Sequence, residues 1–257
     1  MATVARLNVT PVKSTALLHP ERIRLGERGA AGDRRFFLVD AFGKRFSGAT
    51  KAPLLPIRAA YDEAADRLEL RLPNGPVVAG TAEPDGEALV VNFYGRPVAA
   101  HVVGGDFGEA LSAYAGHEVR LARPDRPGDA IDVRPVTLVS LESVAELASR
   151  GEHEGTLDPG RFRMTIEIEG VSAPHEEDAW AGRRVRVGGA VIRVDEPVPR
   201  CVVTTLDPAT GLRDFPTLKV IRDYRGINAE RQLEFGVYAE VVVPGEVSMG
   251  DPVEPLP

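Results

Sequence analysis

The stretch ArgValArgValGlyGlyAlaValIleArgVal (184–194) indicates the fold class most directly. On both sides of Gly188-Gly189, apolar residues alternate with charged or small ones, as in strands that bury one face. A two-glycine turn supplies the positive φ angles that a tight hairpin requires. The sequence therefore predicts a β-hairpin here and a fold built mainly from short strands.

The same alternation recurs in other parts of the chain. ThrValAlaArgLeuAsnVal (3–9) and ArgLeuGluLeuArgLeu (67–72) both follow it, and the turn pair Asn74-Gly75 comes soon after the second. The same criteria predict further strands near residues 36–39, 88–92, 97–103, 165–169, 201–206 and 237–243.

Three helices are expected among these strands. Asp106 and Glu109 form a capping-box pattern at the start of a helix that would end at Gly116. An apolar stripe at helical spacing covers residues 138–148, and Thr217 would cap a third helix. We therefore predict a predominantly β, α+β protein with a few short helices.

The best internal boundary lies at Pro124, Pro127 and Gly128, where charged residues are also frequent. A chain of 257 residues can form one large domain or two modest ones. We expect an N-terminal β-barrel subdomain over residues 1–120 and a second β-rich domain over residues 121–257.

Composition narrows the class of protein. A net charge of −7 argues against a nucleic-acid partner, which would call for a basic face. The N-terminus lacks the apolar core of a signal peptide, and no stretch approaches the ~20 apolar residues of a membrane helix. We expect a cytoplasmic protein with no membrane or nucleic-acid partner.

Common catalytic motifs are missing from the sequence. It contains no GxxxxGK[ST] phosphate loop, GxSxG elbow or HExxH helix, and its five histidines are scattered. One cysteine excludes an internal disulfide and a self-contained iron–sulfur cluster, which normally takes four cysteines. Any electrons that the protein uses must therefore come from another protein.

Cys201 is the residue that stands out chemically. It follows Arg200 and two prolines, and a neighbouring cation favours the thiolate form that acts as a nucleophile or metal ligand. A thiolate suits redox-active metals better than hard cations. From the local sequence alone, Cys201 could also be a small buried apolar residue at the start of a strand.

The segment ArgCysValValThrThrLeuAspProAlaThrGly (200–211) resembles the cysteine motif of the MOSC superfamily. It most resembles the branch that contains the mitochondrial amidoxime-reducing component and its bacterial relatives. Other segments similar to that family occur in the same order, at ProValLysSer (11–14), AspArgArgPhePheLeuVal (33–39), ValSerLeuGluSerValAlaGluLeu (139–147), ArgPheArg (161–163), GluGluAspAlaTrp (176–180), PheGlyValTyrAla (235–239) and GlyAspProVal (250–253).

The resemblance implies a molybdenum cofactor site. In that family a pyranopterin dithiolene (molybdopterin) carries molybdenum, and the motif cysteine, here Cys201, supplies a protein sulfur to the metal. An acidic residue near the metal corresponds to Asp132. Family contacts to the cofactor phosphate and pterin correspond to Lys13, Ser14, Arg34 and Arg163.

The resemblance also implies an architecture and an activity. The N-terminal β-barrel-like subdomain would pack on a MOSC β-barrel, with the cofactor in the cleft between them. The protein would be a reductase of N-hydroxylated compounds such as amidoximes, hydroxylamines or N-hydroxylated bases. A separate reductase or an iron–sulfur or haem protein would supply the electrons, since no ferredoxin-like segment follows the motif; we expect a monomer.

Three positions depart from the family pattern. Met164-Thr165 replaces a Pro-Asn pair, so Thr165 offers the cofactor a hydroxyl where relatives have an amide. SerGlyAlaThr (47–50) lacks an arginine that relatives carry there, and Val133-Arg134 replaces small hydroxyl residues after the acidic position. These changes lie around the expected pocket and bear on substrate preference more than on cofactor binding.

Three other functions fit the same residues. The protein could carry molybdenum cofactor without catalysis, or it could transfer sulfur through a persulfide on Cys201 with no metal. It could also be a β-barrel binding module in which Cys201 is inert. The three differ in whether the purified protein holds molybdenum, releases sulfide, or does neither.

Overall fold

A computed structural model describes residues 1–46 and 53–257, and the predicted departure at SerGlyAlaThr (47–50) lies outside this part of the chain. The strands are β1 (Ala2–Leu7), β2 (Arg22–Gly26), β3 (Gly29–Ala30), β4 (Phe37–Asp40), β5 (Arg58–Asp62), β6 (Arg67–Arg71), β7 (Val77–Thr81), β8 (Pro84–Phe93), β9 (Arg96–Val103), β10 (Val119–Pro124), β11 (Val136–Ser140), β12 (Ile166–Glu169), β13 (Arg184–Val187), β14 (Ala190–Pro199), β15 (Glu234–Val243), β16 (Gly245–Ser248) and β17 (Pro252–Pro255). The α-helices are α1 (Phe107–Ala115), α2 (Leu141–Arg150) and α3 (Thr217–Arg225), and short 3-10 helices cover Pro159–Phe162, Glu176–Trp180 and Val202–Thr205.

Seven strands close into a barrel in the order β1-β12-β11-β15-β14-β13-β17. The predicted hairpin is confirmed: β13 and β14 pair antiparallel, Val187 faces Ala190, and Gly188 takes a φ of 54° in the turn. Inward side chains alternate along these strands, so Val185 and Ile192 are fully buried in the apolar interior. The barrel is thus a packed core.

The N-terminal end of the chain contributes directly to this barrel. β1 pairs with β12 and β17, and β2 pairs with β16. Ile23 and Leu25 from β2 belong to the same apolar cluster as the barrel interior. The boundary near residue 120 stays a prediction.

The strands between β4 and β10 form the N-terminal subdomain. One sheet has the order β4-β10-β9-β8, and a second has the order β5-β6-β7. Helix α1 buries Phe107 and Leu111 against a shared apolar cluster that includes Leu68 and Leu70. The predicted fold class is confirmed: a predominantly β protein in which a barrel-like N-terminal subdomain packs on a closed barrel. No helix in the described ranges is long and apolar enough to cross a membrane.

Two helix starts differ from the sequence prediction. Helix α1 ends as expected at Gly116, which is in the left-handed region, but the Asp106 side chain makes no capping hydrogen bond. Helix α2 begins at Leu141, since Leu138 lies on β11 and pairs with Val237. The apolar stripe therefore joins a strand to a helix: Leu138 is buried inside the barrel, whereas Val144 and Leu147 of α2 belong to a separate apolar cluster.

Thr217 is the first residue of α3 and does not cap it. Its hydroxyl instead donates to the Thr204 carbonyl at 2.6 Å, which ties α3 to the 3-10 helix at Val202–Thr205. That 3-10 helix occupies the predicted strand at 201–206, so this strand prediction is wrong. The Thr205 hydroxyl donates to the Val202 carbonyl at 2.7 Å, and such local bonds compete with strand pairing in a β-branched run.

Gly236 permits a tight contact inside the barrel wall. It lies in β15 with a φ of 67°, a conformation that other residues rarely adopt. A Cβ at this position would lie 2.4 Å from Cε of Met164 and 2.8 Å from the carbonyl oxygen of Leu138. A side chain here would therefore push β15 away from β11.

We expect Gly236→Ala to lower the free energy of unfolding by about 2–4 kcal/mol, because left-handed strain and a buried clash add together. The matched control is Gly250→Ala, which has a φ of 80° and no atom within 4 Å of the new Cβ. The control should cost only the backbone strain, about 1–2 kcal/mol. Urea denaturation of both variants measures the difference, and equal losses would contradict the steric account.

Candidate functional site

A cavity of about 780 Å³ lies between the barrel and the N-terminal subdomain, and we call it the interface cavity. Its walls come from the loop after β1, the ends of β8 and β14, the segment before β11 and the 3-10 helix at Pro159–Phe162. The structure brings together in its lining all seven residues predicted for the site, namely Lys13, Ser14, Arg34, Asp132, Arg163, Thr165 and Cys201. Their individual roles stay predictions.

The interface cavity is strongly cationic although the chain has a net charge of −7. Among its described lining residues, Asp132 is the only carboxylate. The basic lining residues are Lys13, Arg34, Arg45, Arg134, Arg161, Arg163, Arg200 and Arg231. This excess of positive charge suits an anionic ligand, since partly enclosed clefts concentrate the field of their walls.

Lys13, Asp132 and Arg45 form one charged cluster in the wall. The Lys13 ammonium pairs with the Asp132 carboxylate and donates to the Ala130 carbonyl at 3.2 Å. Arg45 lies 3.8 Å from the same carboxylate and stacks 4.5 Å from the ring centroid of Tyr94. Nη1 of Arg45 is buried without a hydrogen-bond partner among the described residues. A ligand oxygen would satisfy this donor.

Burial and neighbouring charges shift the pKa values of both Lys13 and Asp132. Burial, with smaller contributions from Arg34 and Arg45, lowers the pKa of Lys13 to about 8 against the opposing effect of Asp132. Burial alone would raise the pKa of Asp132, but Lys13, Arg34 and Arg45 outweigh it and hold that pKa below its usual range. Asp132 is therefore a carboxylate at neutral pH.

Arg34 and Arg163 are brought together by two left-handed backbone positions, with φ of 46° and 55°. Arg34 pairs with Asp33 and donates to the carbonyl of Arg163 at 3.2 Å. Arg163 donates to the Thr15 carbonyl at 2.7 Å and has no carboxylate partner in the described chain. Burial lowers the pKa of Arg163 to about 10, with Arg34 adding to the effect. Its buried charge is therefore available to an anion.

Cys201 follows the end of β14 and lines the same cavity. Its side chain is exposed, and its carbonyl accepts from the Thr204 hydroxyl at 3.0 Å. The neighbouring Arg200 donates to the carbonyls of Phe235, at 2.6 Å, and Phe162, at 3.1 Å. These bonds fix the backbone just before the thiol.

The two hydroxyl residues of the predicted site differ in their surroundings. Thr165 is buried, and its Oγ1 lies 3.3 Å from Oγ1 of Thr137, which also accepts from the Thr165 N–H at 2.9 Å. Ser14 has a φ of 75° and follows Lys13, whose backbone N–H donates to the Phe36 carbonyl. Ser14 is therefore freer than Thr165 to bind a ligand.

Comparison with known proteins agrees with this geometry. Residues 105–254 match the MOSC domain, and residues 1–114 match the MOSC N-terminal beta barrel domain. The chain belongs to the MOSC domain family. The interface cavity of this MOSC protein thus lies among residues from both matched regions.

Curated relatives of the MOSC protein carry two kinds of name. The bovine "Mitochondrial amidoxime reducing component 2" is 33% identical over 48% of this chain and 37% of its own length. The mouse "Mitochondrial amidoxime-reducing component 1" is 24% identical over 98% of this chain and 82% of its own. The Anopheles gambiae "Molybdenum cofactor sulfurase" is 30% identical over 91% of this chain and 34% of its own length. The chain therefore spans little more than a third of the bovine and mosquito relatives.

The lining residues of the MOSC protein that were not predicted as site residues include Arg45, Arg200 and Tyr238. Arg200 was noted only as a neighbour of Cys201, although the structure makes it the anchor of that loop. No spacing signal in the sequence points to Arg45, because it enters the cavity through stacking on Tyr94. Tyr238 lies in PheGlyValTyrAla (235–239), a segment that the sequence identified only by its resemblance to the closing strands of the family.

We expect the pKa of Lys13 to be near 8 in the folded protein and Asp132→Asn to lower it by about one unit, because the carboxylate favours the charged lysine. The pKa can be measured by carbon-13 NMR of labelled lysine side chains, with Lys13→Arg identifying the resonance. A pKa that is unchanged in Asp132→Asn would contradict the pairing.

Proposed function

We propose that the chain binds a molybdenum cofactor in the interface cavity, with Cys201 as a thiolate ligand of the metal, and reduces N-hydroxylated compounds. One observation carries the proposal. The exposed thiol of Cys201 and the buried cations Lys13, Arg34 and Arg163 line the same cavity in a chain of the MOSC domain family. Relatives named for amidoxime reduction and for molybdenum cofactor sulfuration support the cofactor class.

The residues present fit a cofactor that brings its own metal ligands. In the described ranges, no group of three or more His, Cys, Asp or Glu side chains is placed to hold a metal ion. A dithiolene would add two sulfurs to the one that Cys201 offers, and soft sulfur ligands suit such a metal. The arginines would bind the phosphate through charge-assisted hydrogen bonds.

When bound, the cofactor supplies the two-electron chemistry by which an N–OH group becomes an N–H group and water, with uptake of two protons. The chain's own residues hold and orient the reactants. Arg163 and Arg34 anchor the anionic end, and Arg200 holds the backbone before Cys201 through the Phe235 carbonyl. Asp132, charged at neutral pH, can orient a cationic amidine product.

The reduction needs an electron source from outside the chain. Cys201 is the only cysteine, so this chain cannot build a four-cysteine cluster of its own. We propose a separate reductase or an iron–sulfur or haem protein as the donor. A monomeric state and a cytoplasmic location also stay predictions.

Protein purified without oxygen from a cofactor-producing host should contain near-stoichiometric molybdenum and pterin. Cys201→Ala should lose most of the metal, because the protein sulfur that holds it is gone. Metal analysis and pterin fluorescence measure the two contents. Metal-free wild type, from a host that loads a control molybdoenzyme, would overturn the proposal, and reductant-released sulfide would then favour persulfide transfer.

Arg163→Gln should retain less pterin than wild type after gel filtration, by about tenfold or more, because a buried unpaired charge no longer meets the phosphate. The matched control is Arg186→Gln, at an exposed position on β13 outside the cavity lining. Equal pterin retention in both variants would contradict the anchoring role. Unfolding midpoints of both variants separate cofactor loss from loss of the fold.

A further inference from the structure

Tyr238 places a buried phenol in the interface cavity. Its side chain is only 8% exposed, and it lines the cavity. Its hydroxyl makes no hydrogen bond with any residue in the ranges 1–46 and 53–257. The hydroxyl oxygen keeps some solvent exposure and the residue lines the cavity, so the hydroxyl is accessible to a ligand. Tyrosine hydroxyls of largely buried side chains usually find a hydrogen-bond partner. A ligand oxygen inside the cavity would provide that partner.

The barrel geometry explains why this hydroxyl faces the cavity. Successive side chains of β15 point to opposite faces. Val237 and Ala239 are fully buried in the apolar interior of the barrel, whereas Tyr238 packs with the cluster outside it. Tyr238 also pairs with Thr137 of β11, which lines the cavity as well. The strand register therefore fixes the phenol on the cavity side.

The surroundings of Tyr238 keep its hydroxyl protonated, so that it can donate a hydrogen bond. Burial, with a smaller contribution from Asp132, raises its pKa to about 12 against the opposing effect of Arg200. The phenol is therefore protonated at neutral pH. It can donate its hydrogen to an acceptor oxygen, and no residue in the described part of the chain accepts it.

The position of Tyr238 suits the reacting end of a ligand. β15 pairs with β14, which ends next to Cys201, and Arg200 links the two strands by donating to the Phe235 carbonyl. Lys13, another donor of the cavity, already binds Asp132. Tyr94 is 62% exposed at the edge of the lining, so it is less shielded from water than Tyr238.

We propose that the Tyr238 hydroxyl donates a hydrogen bond to the oxygen of the N–OH group in an N-hydroxylated substrate and so selects substrate over product. This inference rests on the proposed function. In the proposed reaction the N–O oxygen would lie at the cofactor end of the cavity beside Cys201, where it could serve as the acceptor that the phenol lacks. The amidine or amine product has lost that oxygen, so it binds without this hydrogen bond and leaves more readily.

The test is ligand binding to cofactor-loaded, oxidised protein without an electron donor, so that no turnover occurs. Benzamidoxime and benzamidine are the two probes; they differ by the hydroxyl oxygen and, at neutral pH, by the positive charge of benzamidine, so the effect of the substitution is compared for each probe separately. Wild type should prefer benzamidoxime, and Tyr238→Phe should bind it about 3–10-fold more weakly, as expected for one neutral hydrogen bond. Benzamidine affinity should be unchanged. Calorimetry measures all four dissociation constants.

The control variant is Tyr114→Phe, whose hydroxyl donates to the Pro53 carbonyl outside the cavity lining. It should keep the wild-type preference, and molybdenum content should be equal in all three proteins. A preference for benzamidoxime that survives in Tyr238→Phe overturns the role of Tyr238 and leaves the proposed function standing. Wild type without cofactor overturns both, and loaded wild type that binds the two probes equally overturns the inference alone.

Discussion

Arg200 joins the cysteine loop to the barrel, and the geometry of the site depends on that connection. Its guanidinium donates to the Phe235 carbonyl on β15 and to the Phe162 carbonyl of a 3-10 helix, and it lies 5.3 Å from the ring centroid of Phe162. Burial lowers its pKa to about 10, and no carboxylate in the described chain offsets that cost. Carbonyl oxygens therefore carry the charge, and the segment on which the thiol is mounted cannot move without breaking several bonds at once.

Other cationic side chains of the cavity are also largely buried with few carboxylates near them. Arg163 is held by a carbonyl, and Lys13, Arg34 and Arg45 share Asp132 and Asp33. Desolvation of charges that lack full pairing reduces the stability of the folded chain. An anionic ligand would therefore stabilise the folded chain, because its binding would satisfy charged groups that are already removed from water.

The strand pattern and the motifs could be predicted because they are local. The hairpin at Gly188-Gly189 follows from alternation and turn chemistry, and the barrel-like class follows from the number of short strands. The helix at Val202–Thr205 could not, since threonine hydroxyls bonded to nearby carbonyls outweigh the β preference of the run.

The site could be predicted only in part, because some of its residues matter through contacts between distant parts of the chain. Its seven residues were found through motif order, and the structure gathers them in one cavity while their roles stay predictions. Arg45 and Tyr238 were missed because their importance comes from contacts across the fold. Arg45 reaches the cavity by stacking on Tyr94, and the Tyr238 hydroxyl matters because nothing in the described chain binds it.

The pairing of β1 has a consequence for the order in which the protein folds. Thr3 pairs with Glu169 on one side and with Pro252 on the other, so both partners of the strand are far along the chain. Closing such long loops is slow, because the entropy cost comes before the contacts form. During synthesis the strands from β4 to β10 can find one another while β1 still has two open edges. We therefore expect the barrel to close later than the sheets of the N-terminal subdomain, because both partners of β1 lie far along the chain.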